Sequence, residues 1–136
     1  MVALNSRTSR GSQRASQNAN AKRVLIVEDD LDAVHAFEAL LVEMGHTVEC
    51  AINGYVALDV ARRFHPDVVF LDLGLPGLSG YDVCSRLKSD PALARTRIIA
   101  VTAHGHDDAK VRAQAVGCEM HLLKPVPPGV IERILG

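Results

Sequence analysis

Asp72 ends the run Pro66-Asp67-Val68-Val69-Phe70-Leu71-Asp72, and the other reactive residue types of the chain stand at the ends of similar runs. Pro66 stops whatever precedes it, because its ring removes a backbone donor and fixes φ. Four apolar residues lead to the carboxylate, and Gly74, Pro76, Gly77 and Gly80 follow at once. An unbroken apolar run between breakers predicts a strand buried on both faces, as in a parallel sheet. Val24 to Val27 ends the same way on Glu28-Asp29-Asp30, Ile98 to Val101 on Thr102, and Met120 to Leu123 on Lys124-Pro125.

These residue types suit one kind of chemistry. Three carboxylates in one crevice do not all stay ionised without a compensating charge. A divalent cation supplies it. Hard oxygen ligands with no His or Cys beside them favour Mg²⁺, or Mn²⁺, over Zn²⁺. Lys124 as a charge and the Thr102 hydroxyl as a donor complete an anion site. A carboxylate held against the metal is then a candidate nucleophile that would form an aspartyl phosphate.

The elements that must position these groups alternate. Leu31, Val34, Phe37, Leu41 and Met44 recur at helical spacing, with Asp30 as N-cap and Gly45 just past the end. His46 to Ala51 predicts a second strand. Asn53 caps a helix to about Phe64, which Pro66 closes. Ser79-Gly80-Tyr81-Asp82 has the spacing of a capping box and opens a helix to about Lys88. Asp90-Pro91 predicts a turn, and 104–106 a loop. Asp107 and Asp108 suit the positive end of the next helix. That helix, to about Val116, is alanine-rich with a thin apolar face and is expected to be mobile. A last helix runs from about Pro128 to Leu135. Five β-α units in so short a chain predict an α/β fold with a parallel five-stranded sheet and right-handed crossovers. The open doubly wound form, flavodoxin-like (βα)5 with strand order 2-1-3-4-5, fits better than a barrel. In such sheets ligands bind at the carboxyl ends of the strands, where strands 1 and 3 diverge.

The bulk numbers agree with one domain. The chain has 136 residues, 48% of them hydrophobic and 23% charged. Residues 1–23 carry five cations and no acid, which leaves the rest at −6 against a total of −1. That balance argues against nucleic-acid binding by the folded part. Residues 1–21 read as a disordered basic tail or linker, and 22–136 as the domain. No apolar run is long enough to span a membrane, and no secretory leader opens the chain, so a cytoplasmic protein is expected. Cys50, Cys84 and Cys118 fit no metal pattern and read as reduced thiols; their equal spacing reads as coincidence, since the flanking residues do not match. His35, His46, His65, His104 and His106 read as solvated or capping, and Phe70 and Tyr81 as core.

Val24-Leu25-Ile26-Val27-Glu28-Asp29-Asp30, Val69-Phe70-Leu71-Asp72-Leu73-Gly74-Leu75-Pro76-Gly77, Val101-Thr102-Ala103 and Leu123-Lys124-Pro125 together resemble the receiver domain of response regulators in two-component phosphorelays. The resemblance spans about residues 22 to 135. The wording from Asp72 to Tyr81 and from His121 to Val126 is most like receivers associated with hybrid histidine kinases. The resemblance implies that Asp72 accepts phosphate from a histidine kinase or a histidine phosphotransfer protein. It implies direct metal ligation by Asp29, Asp72 and the Gly74 carbonyl, with Glu28 acting through a metal-bound water. Thr102 and Lys124 would each hold a phosphoryl oxygen, and the Lys124-Pro125 bond would be cis. His121 occupies a place often held by Tyr or Phe that moves with Thr102, so both are switch candidates, and an imidazole there would make the switch pH-sensitive. The chain would be a signalling module, not an enzyme, beyond its own phosphorylation and dephosphorylation. It is expected to be a monomer or weak dimer with an unnamed protein partner downstream and no DNA-binding output within it.

Two other classes compete. A Mg²⁺-dependent phosphatase-like phosphotransfer enzyme on a similar fold would want a second acid two residues past the nucleophile, where this chain has Gly74. A nucleotide- or flavin-binding domain needs a glycine-rich first loop, whereas Glu28-Asp29-Asp30 repels bare phosphates.

Overall fold

The computed structural model describes residues 20–136 apart from His104 and His106. All but the last two residues of the predicted tail lie outside the described residues, as do both histidines of the predicted 104–106 loop. The chain alternates β1 (Arg23–Val27), α1 (Leu31–Glu43), β2 (Thr47–Ala51), α2 (Gly54–Phe64), β3 (Val68–Asp72), α3 (Gly80–Ser89), β4 (Arg97–Thr102), α4 (Asp107–Ala115), β5 (Met120–Leu123) and α5 (Pro128–Leu135). All strand pairs are parallel, and the order is β2-β1-β3-β4-β5. The predicted architecture is therefore the observed one.

Strand alternation sorts the core into two layers. Leu25, Val27, Val69, Leu71, Ile98 and Ala100 pack with α2, α3 and Ala113 of α4. Val24, Ile26, Val68, Phe70, Ile99 and Val101 pack with α1 and α5. Phe70 meets Phe37 of α1 edge to face, with ring centroids 4.9 Å apart. Edge strand β5 is less covered, and Leu123 is 54% exposed.

The helix ends follow from their caps. Asp30 accepts from the amides of Asp32 and Ala33, Asn53 from Val56, and Ser79 from Asp82. Each such cap stabilises by about 1 kcal/mol. Gly45, at φ 98°, closes α1 with its amide on Val42 and that of His46 on Leu41, a Schellman ending.

Two turns fall where the sequence places them, and one side chain departs from expectation. Helix α2 ends at Phe64 as expected, and His65, ahead of Pro66, caps it in the left-handed conformation at φ 52°; a residue before proline is disfavoured in the helical region. Asp90-Pro91 opens a short 3₁₀ turn, Pro91–Leu93, which buries Leu93. His46 is buried rather than solvated, and its Nδ1 accepts from the Lys22 amide at 2.9 Å.

Candidate functional site

The register brings the strand ends level. Val27 lies beside Leu71, Asp72 beside Val101, and Thr102 beside Leu123. The residues that follow must therefore emerge at one edge, and β1 and β3 diverge there into helices on opposite faces. Glu28, Asp29 and Asp72 each place a carboxylate oxygen within 4.8 Å of the other two.

Each acid is held differently. Glu28 is 6% exposed. Its Oε2 accepts from the amides of Asp29 and Asp30 at 3.1 and 3.3 Å, and its Oε1 pairs with Lys124. Asp29 is exposed. Asp72 accepts the Gly74 amide on Oδ1 at 2.8 Å and Lys124 Nζ on Oδ2 at 3.1 Å. Burial pushes the Glu28 carboxyl above its ordinary pKa; Lys124 and the Asp30 amide pull it down, and Asp72 pushes it up. Burial pulls the Lys124 ammonium down, but Glu28 and Asp72 outweigh this and leave it above its ordinary value.

Lys124 reaches the acids because its backbone is anchored. Its amide donates to the Thr102 carbonyl at 2.8 Å, and the Lys124-Pro125 peptide is cis. Thr102 is itself buried at the end of β4. Its neighbouring edge strand carries His121, opposite Ala100. His121 Nε2 is buried with no hydrogen-bond partner among the described residues. Burial, then the charge of Lys110, holds the imidazole below its ordinary pKa.

Under the acids runs an apolar groove of about 360 Å³, lined by Phe37, Leu40, Phe70, Val101 and Ile131 among others. It puts a low-dielectric wall on one side of Glu28, consistent with its raised pKa. Hard oxygens at this spacing fit a small divalent cation, and Lys124 now carries the counter-charge such an ion would share.

Every residue predicted for the site lies on this edge or on the strands that end in it. Gly80 was missed: a Cβ on it would stand 2.6 Å from Leu73 Cα and 2.7 Å from the Asp72 carbonyl. Only glycine lets the start of α3 approach the end of β3, and nothing in the sequence separates that need from an ordinary first-turn residue. The contact of Gly105 with Leu123 was equally hidden; a Cβ there would run into the end of the Leu123 side chain.

A doubly wound sheet with this acid cluster and lysine defines a class, and the chain belongs to it. Residues 24–135 match the response regulator receiver domain family, so this is a receiver domain of two-component signalling. The chain is 38% identical over 114 residues to the polar-differentiation response regulator DivK of Brucella ovis, covering 83% of this chain and 93% of the relative. Among solved structures it resembles the receiver domain of a sensor histidine kinase from Pseudomonas aeruginosa that has a magnesium ion in its active site cleft: 29% identity, TM-score 0.77, covering 85% and 94% of the two chains. It also resembles the receiver domain of a DNA-binding response regulator from Colwellia psychrerythraea: 32% identity, TM-score 0.76, covering 83% and 97%. Receiver domains are signalling modules. No helix among the described residues is long and apolar enough to cross a membrane.

Proposed function

We propose that this receiver takes a phosphoryl group onto Asp72 from a phosphohistidine on a histidine kinase or phosphotransfer protein. The observation that carries the reading is Asp72 itself. Its two oxygens are oriented by the Gly74 amide and by Lys124, at the open edge beside Glu28 and Asp29.

Asp29, Asp72 and the Gly74 carbonyl would hold Mg²⁺ or Mn²⁺ directly, and Glu28 through water. The magnesium ion of the Pseudomonas neighbour supports that assignment. Bound there, the ion supplies positive charge against the carboxylates and the incoming phosphoryl oxygens. An Asp72 carboxylate oxygen attacks phosphorus, and the imidazole of the donor leaves. Lys124 swings from Asp72 to a phosphoryl oxygen, and the Thr102 hydroxyl donates to another. Leu31, Ile52 and Tyr55 are exposed at or just after strand ends on this edge and offer the donor an apolar rim.

The new charge shifts a population instead of driving a chemical output. Thr102 and the segment after it re-register, and His121 on β5 answers that movement. A protein partner reads the changed α4–β5 face. In this reading the chain is cytoplasmic, monomeric or weakly dimeric, and allied to a hybrid-kinase relay. The phosphatase-like alternative loses support at Gly74, which has no side chain to act on water.

Incubation with acetyl phosphate and Mg²⁺ tests the reading. Acid-stable, base-labile phosphate on the wild type and none on Asp72→Asn is expected. Equal labelling of the two proteins contradicts it.

A further inference from the structure

Cys84 and Cys118 are 34 residues apart in sequence, yet their sulfurs lie 3.2 Å apart. Cys84 sits midway along α3 and is fully buried; Cys118 follows α4 and is 5% exposed. The Cys118 thiol donates to the Cys84 sulfur, and the Cys84 thiol donates to the Val116 carbonyl at 3.4 Å. Neither sulfur is in a disulfide, nor is that of the half-buried Cys50.

We propose that Cys84 and Cys118 form a reversible disulfide that ties α3 to the end of α4, making this pair an oxidation site separate from the acid cluster. A disulfide needs sulfurs about 2.05 Å apart, so closing the pair takes a movement of about 1.2 Å. That is a side-chain adjustment.

A buried thiol is ordinarily inert, so access decides the matter. The wall over this pair is thin. Among the described side chains of α4, Ala113 alone is buried. The helix ends at Ala115, and the turn that follows it closes at Gly117, whose left-handed φ of 106° lies directly before Cys118. Over that turn lies the stem of Lys88, whose Cγ is 2.8 Å from where a Gly117 Cβ would be. Fraying of this last turn exposes both sulfurs at once. The hydrogen bond from Cys118 and the nearby Lys88 charge favour a Cys84 thiolate and outweigh its burial, and the same contact pushes Cys118 up.

The oxidant is a peroxide. Cys84 sulfur attacks one peroxide oxygen; an S–O bond forms, the O–O bond breaks, and the departing hydroxide takes the Cys84 proton as water. Cys118 sulfur then attacks Cys84 sulfur; an S–S bond forms, the S–O bond breaks, and hydroxide leaves with the Cys118 proton as a second water. The two sulfurs give up two electrons, and the peroxide receives them. A dithiol reverses the reaction by exchange.

The consequence falls on α4. Its hold on the body is thin: Ala113, and Arg112 stacked 4.0 Å over the Tyr81 ring of α3. A covalent tie one turn past its end restrains the helix that adjoins the β4–α4 segment. This inference does not depend on Asp72 being phosphorylated.

The test treats the full chain with hydrogen peroxide, then alkylates under denaturing conditions and maps peptides. The expected product is an intramolecular link between the Cys84 and Cys118 peptides, 2 Da lighter than the reduced pair, reversed by dithiothreitol and formed equally in Cys50→Ser. Amide exchange over 111–118 is expected to slow at least tenfold in the oxidised protein. Oxidation confined to Cys50, links between two molecules, or no link under native conditions overturns the site. A link that leaves the exchange of 111–118 unchanged overturns the tether. Acetyl phosphate labelling of Asp72 in the reduced protein is measured alongside, so failure of the thiol pair and failure of the phosphoacceptor are told apart.

Discussion

Lys124 Nζ stands 3.1 Å from Asp72 Oδ2 while also pairing with the buried Glu28, so one ammonium holds two carboxylates together. The cation is not a bystander at a strand end. It keeps the acid cluster compact until other positive charge arrives.

Removing it should therefore loosen the edge. Lys124→Ala is expected to cost about 1–2 kcal/mol, discounted because a third of the side chain is exposed. The sign follows from its raised pKa. Its stabilisation is fully present below the ordinary value of 10.5 and is lost as pH rises through the higher folded value. Urea unfolding at pH 7 should thus show the whole loss. An unchanged midpoint contradicts the pairing.

Divalent cation should stabilise the fold by mass action. Mg²⁺ at about a hundred times its Kd adds about 2.7 kcal/mol. Asp29→Asn should remove most of that gain and leave the metal-free stability nearly unchanged, because Asp29 is exposed. Thermal melts with and without Mg²⁺ read both quantities. Equal Mg²⁺ shifts in wild type and variant would exclude Asp29 as a ligand.

Gly80 links packing to the site. In Gly80→Ala the new methyl would meet backbone, the Leu73 Cα and the Asp72 carbonyl, neither of which can rotate away. A destabilisation of about 1–3 kcal/mol is expected. Phosphate uptake at Asp72 should fall as well, although no site side chain is changed. A variant as stable and as readily labelled as wild type contradicts the close approach.

Acid should weaken the fold through two histidines. Burial, then a nearby lysine, holds His46 and His121 below the ordinary 6.5. The unfolded chain therefore binds more protons in that window, and stability rises with pH there. The contribution is fully present above 6.5 and is lost as pH falls through the folded values. His46→Gln should flatten the dependence of Tm on pH between about 5 and 7. An unaltered slope would show that His46 does not contribute.

How legible the molecule was depends on what a feature rests on. Runs such as Val24–Val27 and Val68–Leu71, with breakers on either side, carry the period and length of buried strands, and alternation then dictates the sheet. The acid cluster was legible for the same reason: Glu28, Asp29, Asp72, Thr102 and Lys124 all stand at run ends, which a parallel sheet must bring to one edge. Contacts across faces were not legible. Arg97 grips Glu119 with three hydrogen bonds, 22 residues away, and His46 accepts from Lys22 across 24. The equal spacing of Cys50, Cys84 and Cys118 reads as coincidence, and only packing shows that Cys84 of α3 and Cys118 past the end of α4 meet. Gly80 and Gly105 carry close approaches that one residue letter cannot distinguish from turns.

The central claim is that Asp72 becomes an acyl phosphate. The most direct measurement reacts the full chain with acetyl phosphate and Mg²⁺, traps the product with borohydride, and sequences the peptide spanning 66–80 by mass spectrometry. Reduction of an aspartyl phosphate leaves homoserine, so the account predicts homoserine at position 72 and an unmodified peptide without the phosphodonor. Homoserine at another acid, or none at 72 when the protein has taken up phosphate, contradicts it.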